Sequence, residues 1–287
     1  MVLAAAGARL EWHAHLDVWF LIAALLGGYF LSLRVLAPTY APAGRPAATR
    51  SQKLLWVTGV MVLWIGADWP VHELSEDYLF SVHMVQHTLF SLVAPPLLLL
   101  GVPAWLARTA LDRMRLTRAM RLLTRPLFGL VMFNAVIVLT HWPALVNLSV
   151  TNELAHLALH TLLLTVATLM WWPVVSPVPE LARLSEPGKM LYLFLQSIIP
   201  TVPASFLTFS DKVLYTAYLD APRITGMSAL TDQMVAGLVM KLGGGFLLWF
   251  AIAIIFFRWN AREEAGRIEE VPWEQFEREL EAWDLRK

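Results

Sequence analysis

The feature that most limits what this chain can become is a series of long apolar runs. Each approaches or exceeds the ~18 residues that a helix needs to cross a bilayer. Inside hydrocarbon every backbone N–H and C=O must bond within its own segment, so such runs fold as helices. Seven spans are predicted, at residues 16–36, 52–69, 79–101, 126–146, 153–174, 189–209 and 232–259. Composition agrees: 57% of residues are hydrophobic and 15% charged, against about 45–50% and about 25% in soluble domains. The expected fold class is all-α, a polytopic membrane helical bundle of about seven transmembrane helices. Residues 1–259 form the transmembrane domain and 260–287 an amphipathic tail. The first span lacks the flanks of a signal peptide and reads as a retained helix.

Orientation follows from the basic residues. Arg34, Arg45, Arg50 and Lys53 flank the link between spans one and two, and six arginines from Arg108 to Arg125 fill the link between spans three and four. Arg258 and Arg262 follow span seven, whereas the loop after span two is acidic, with Glu73, Glu76 and Asp77. Positive residues stay on the cytoplasmic side, so the N-terminus is expected outside and the C-terminus in the cytoplasm. The basic link, 104–125, reads as an amphipathic helix lying on membrane lipid. The tail carries Trp273, Phe276, Leu280 and Trp283 at a/d-like spacing, which suits docking on lipid, on a partner or on the chain itself. Formal net charge is zero, which gives no support to a nucleic-acid partner. Pro95-Pro96 should kink or split span three, and Pro200 and Pro203 should do the same to span six. Gly243-Gly244-Gly245 suits a bend or a close helix approach in span seven.

The chain has eight histidines and no cysteine, which excludes thiolate metal sites, iron–sulfur clusters and cysteine nucleophiles. On this topology all eight histidines fall on the outer side. His13 and His15 precede span one, His72 is in the outer loop, and His141 is near the outer end of span four. His83 and His87 lie in span three, His156 and His160 in span five. Each pair is spaced i,i+4, which puts Cβ atoms roughly 5–6 Å apart on one helix face. Helical rise places both pairs very roughly 6–12 Å below the outer surface. A lone interfacial histidine is ordinarily satisfied by backbone or water. Two pairs at one depth point instead to a shared metal, with His72 and His141 closing the site. Asp68, Asp77, Met84, Glu153, Asp232 and Gln233 are candidate additional ligands or supports. Imidazole suits copper, zinc, iron and nickel, and a thioether favours cuprous copper. Lys241, near the midplane of span seven, is a second functional candidate because an intramembrane charge is costly.

Four stretches carry a family resemblance: HMVQHTLFSLVAPPLLLLGVP from His83, THWP around His141, HLALH from His156 and DQMVAGLVMKLGGG from Asp232. Together they resemble the CtaG family of multi-span bacterial plasma-membrane proteins that assist assembly of caa3-type cytochrome c oxidase. The resemblance covers residues 54–259. It implies a role in maturing a haem–copper oxidase by holding or supplying copper, with oxidase subunits as partners and no chemical turnover. Matching motif positions are His83, Gln86, His87, His141, His156, His160, Asp232 and Gln233.

Three other readings stay open at this point. A haem b electron-transfer protein would use histidines from two helices as axial ligands, though two pairs offer more imidazole than one haem needs. A metal transporter would exploit the proline-broken helices, yet the inner half lacks ligands to continue a path. A purely structural oxidase scaffold would use the histidines only for packing.

Overall fold

The computed structural model describes residues 12–181, 184–224, 226–264 and 273–283, the last without the side chains of 273–276. Among them the chain is helical and has no strand. In chain order the helices are α1 (Leu16–Tyr40), α2 (Arg50–Ala67), α3 (Val71–Tyr78), α4 (Phe80–Gly101), α5 (Ala104–Arg113) and α6 (Thr117–Leu123). They continue with α7 (Pro126–Thr140), α8 (Pro143–Thr151), α9 (Glu153–Val175), α10 (Glu186–Phe209), α11 (Ala229–Glu264) and α12 (Trp273–Ala282). Five of them, α1, α4, α9, α10 and α11, are long and apolar enough to cross a membrane. The number rises to seven when two bent pairs each count as one span, α2 with α3 at 49° and α6 with α7 at 72°. The protein is a polytopic all-α membrane bundle.

Local chemistry sets the helix starts. At α2 a capping box operates: Gln52 N–H donates to Thr49 Oγ1 and Thr49 N–H to Gln52 Oε1. This satisfies donors that the first turn would leave orphaned. Asn152 caps α9 through Ala155 N–H, and so starts the helix that carries His156 and His160. α2 packs on the second half of α4, α9 packs on both α4 and α7, and α10 packs on α11. The main apolar core lies among α7, α9, α10 and α11, around the buried Leu163, Met170, Tyr192 and Leu193.

Several expectations are corrected by the backbone. Span four does not run through 126–146: α7 ends at Thr140, Trp142 is extended, and α8 begins at Pro143. A proline disfavours helical geometry in the residue before it, so the THWP stretch is a helix break. The basic link is two short helices, α5 and α6, separated by Arg115 at a φ of 55°. Span three is not split at Pro95-Pro96. It widens into a π-helical turn at Leu89–Val93, and the prolines start the next α-helical turn. Neither proline can donate to the Ser91 carbonyl, and Trp171 Nε1 on α9 supplies that bond at 3.0 Å. A neighbouring helix has thus restored a backbone bond that proline removed. Span six does break, at Pro200, within α10.

The tightest helix approaches are not at the triple glycine, where a Cβ on Gly244 would make only ordinary contact with Leu92 at 3.4 Å and one on Gly245 would meet nothing within 4 Å. They occur at Gly101, where a Cβ would stand 2.6 Å from the Trp56 backbone, and at Gly237, where it would stand 2.8 Å from the Ala204 carbonyl. The tail folds back on the bundle. Glu279 of α12 is buried and accepts a hydrogen bond from Ser185 N–H, the N-cap residue of α10. Trp283 meets the edge of Tyr192 with ring centroids 6.0 Å apart. The Trp273 and Phe276 side chains lie outside the described residues.

Candidate metal centre

Seven histidines form one chain of ring contacts. It runs from His15 to His72 (4.7 Å between centroids) and His156 (5.6 Å), and then into the group of His83, His87, His156 and His160. It ends at His141, 5.5 Å from His87. His13 is exposed and stands outside this chain. Helical spacing explains the centre of the cluster: α4 turns His83 and His87 to one face, with centroids 4.4 Å apart, and α9 does the same with His156 and His160 at 4.1 Å.

The two pairs do not make a single four-histidine site. Their donor atoms separate into two groups, each within a span of 4.8 Å: His83, His87 and His160 in one, and His72, Glu76 and His156 in the other. The i,i+4 pair of α9 therefore contributes one imidazole to each. In the first group His83 and His87 are buried, and neither Nδ1 has a hydrogen-bond partner. Buried polar atoms are normally paired, so two open ring nitrogens in one cluster ask for a ligand. Nitrogens around one ion at about 2.0–2.1 Å stand roughly 3–4 Å from each other, so a small rotation of the rings would complete the set.

The second group is built on α3. Glu76 Oε1 is 2.8 Å from His156 Nε2 and 3.4 Å from His72 Nε2. Neither contact is aligned as a hydrogen bond, so the carboxylate and the rings are held at ion-pair distance, and His156 Nδ1 has no hydrogen-bond partner. Within α3 Ser75 Oγ donates to the His72 carbonyl, and from outside Tyr218 Oη donates to the Ser75 carbonyl. Beside it, His15 Nε2 lies 2.9 Å from Glu73 Oε1.

His141 occupies a third position. Its Nδ1 lies 2.7 Å from the Ile137 carbonyl, which can only accept, so Nδ1 carries the proton. Its Nε2 lies 3.3 Å from Met84 Sδ, which can accept but not donate a hydrogen bond. Tyr215 fixes this break by donating to the His141 carbonyl. Below, a cavity of about 50 Å³ is bordered by Met84, His87, His141, Gln196 and Lys241, enough for a few waters on a measure of about 10–15 Å³ each.

The remaining residues singled out from the sequence support the site or stand apart from it. Asp232 is buried and accepts from Phe80 N–H, Ser81 N–H and Ser81 Oγ. It caps α4 and does not join the cluster. Gln86 donates to the Gly66 carbonyl at 2.7 Å and ties α4 to α2. Gln233 accepts from Leu214 N–H and donates to the Lys212 carbonyl, which holds the loop before α11. Asp68 accepts from the indoles of Trp19 and Trp64 and joins α1 to α2. Glu153 and Asp77 are exposed.

Sequence reasoning undervalued His15, Glu73 and Glu76. The signal for Glu76 was present: it lies four residues after His72 in an acidic loop. Tyr215 and Tyr218 gave no signal, because they reach the site from a distant loop.

A polytopic helical bundle that gathers seven histidines into one cluster defines the class, a multi-span histidine-cluster protein. Residues 27–262 match the family described as cytochrome c oxidase caa3 assembly factor (Caa3_CtaG), and the chain belongs to that family. Two curated relatives are similar, uncharacterized protein Mb0105 of Mycobacterium bovis and uncharacterized protein MT0111 of Mycobacterium tuberculosis. Each is 26% identical over 204 residues, covering 64% of this chain and 30% of its own length. The chain therefore spans less than a third of the length of those relatives. No solved structure matches it.

Proposed function

We propose that this protein holds a copper ion as cargo in the His83, His87 and His160 triad and gives it to a subunit of the oxidase whose assembly it assists. The observation that carries this reading is the set of three imidazole donors within 4.8 Å of one another, two of them on buried rings with an open Nδ1. Imidazole binds copper well, and the nearby Met84 thioether suits its cuprous form. On the positive-inside assignment the triad lies in the outer leaflet. A partner subunit in the same bilayer reaches it there without the ion crossing the membrane. The protein performs no chemical turnover in this role. It binds, shields and releases.

The test is elemental analysis of protein purified after growth with copper, for wild type and for His83→Ala/His87→Ala. Wild type is expected to retain about one copper per chain through size exclusion, and the double variant to retain almost none. Equal copper in both would overturn the proposal.

A further inference from the structure

We propose that the second donor group, His72, Glu76 and His156, is a separate loading station through which the ion enters the buried triad. This rests on the copper-cargo reading above and adds a path to it.

Three observations carry the assignment. First, the donors are present and open. Two imidazoles and a carboxylate oxygen lie within 4.8 Å of one another; Glu76 Oε1 is paired only with the imidazoles of the set, 2.8 Å from His156 Nε2, and His156 Nδ1 has no hydrogen bond although the residue is only 7% exposed. Second, the two groups differ in access. The side chains of His72 and Glu76 are 23% and 20% exposed, whereas in the triad His83 and His87 are 3% and 8% exposed and His160 is partly buried. His15, whose side chain is 19% exposed, stands directly beside His72. Third, the groups are joined by one helix face: His156 and His160 are a turn apart with centroids 4.1 Å apart. An ion that leaves the outer set can keep an imidazole contact as it moves.

The donor chemistry changes along the same line. Carboxylates stand at the exposed end and imidazoles alone in the middle. At the buried end His141 Nε2 faces the Met84 thioether at 3.3 Å. A carboxylate attracts a hydrated cation and exchanges readily, whereas softer donors hold copper. Two cations this close, away from water, would repel strongly. The stations are therefore filled in turn, and at rest the ion sits in the triad.

Loading of purified full-length protein with cupric ion alone, followed by stopped-flow and then by titration, tests this. Glu76→Gln keeps the side-chain shape and removes the charge. It is expected to bind the same final amount of copper as wild type, about one per chain, while loading about tenfold more slowly, because the charge that draws the cation in is lost. A triple variant, His83→Ala/His87→Ala/His160→Ala, is expected to keep a weak site that disappears when Glu76→Gln is added. Monodisperse elution and unchanged helicity by circular dichroism establish that each variant is folded.

The inference is overturned if Glu76→Gln loads at the wild-type rate. It is equally overturned if that variant lowers the final amount bound, since Glu76 would then be a ligand of the resident ion in one shared site. Failure of the two proposals is distinguishable. A wild type that binds no copper removes both, and a wild type that loses copper only with the triad, indifferent to Glu76, removes the loading station alone.

Discussion

At the head of α4 the protein treats two carboxylates in opposite ways. Asp232 reaches from α11 to the first turn of α4 and accepts hydrogen bonds from two backbone N–H groups and a hydroxyl. Its charge also faces the positive end of the helix dipole. Glu76 reaches the neighbouring cluster from α3, and its Oε1 meets only imidazole nitrogens, at 2.8 and 3.4 Å and with no aligned hydrogen bond. One region is closed and the other open. The closed one fixes where α4 starts, and hence where His83 and His87 point. The open one leaves its donors available. The pattern of satisfaction, more than burial or residue type, separates the groups that build this fold from those that would bind an ion.

That contrast can be broken first on its structural side. Asp232→Ala leaves three donors at the start of α4 unpaired, two of them backbone, and is expected to cost about 2–4 kcal/mol. Thermal unfolding in detergent would read the loss, and copper retention should fall with it because the histidines of α4 lose their register. A smaller effect is expected at the proline pair. Trp171→Phe orphans the Ser91 carbonyl and should cost about 1–2 kcal/mol. Pro95→Ala, which restores an N–H four residues after Ser91, should shrink that cost, and a double-mutant cycle measures the difference. If the two changes are additive, the indole does not serve the proline gap.

On the open side, His83→Ala/His87→Ala should lower stability by about 1 kcal/mol or less. Lost packing is offset there by removal of two unpaired ring nitrogens. A large destabilisation would show that these rings are structural after all. The smallest effect belongs to the exposed pair Arg108–Glu180. Hydrogen bonds from Arg108 hold the Glu180 carboxyl below its ordinary pKa. Its contribution is therefore present above that ordinary value and lost as pH falls through the lowered one. Solvent screening makes it too small to shift a melt, so Arg108→Ala should unfold with wild type at pH 7.

Much of this architecture was legible in the chain, for a physical reason. A bilayer demands long apolar helices, and the run lengths alone placed α1, α4, α9, α10 and α11 to within a few residues. The two i,i+4 histidine pairs were equally legible, since helical spacing decides which side chains share a face. The exceptions are instructive. Hydropathy is blind to the break at His141, because the residues on both sides stay apolar while Pro143 alters only the backbone. The split of the histidines into two groups depends on helix rotation and on how α3 folds back, neither of which a linear pattern contains. Asp232 read as a cluster member because the donors it caps lie 151 and 152 residues away in sequence. Self-docking of the tail turned on Glu279, whose partner belongs to the start of α10.

The bond from Trp171 to the Ser91 carbonyl has a mechanical corollary. Ser91 is one helical turn below His87, and Trp171 is about three turns below His160. The indole bridges the two helices and fixes the spacing of α4 and α9 at that contact. The triad takes imidazoles from both of these helices, so its spacing would follow any change in their tilt about this contact. A tilt of a few degrees, multiplied along the helices, moves imidazoles by fractions of an ångström, the scale on which a metal–nitrogen bond is made or released.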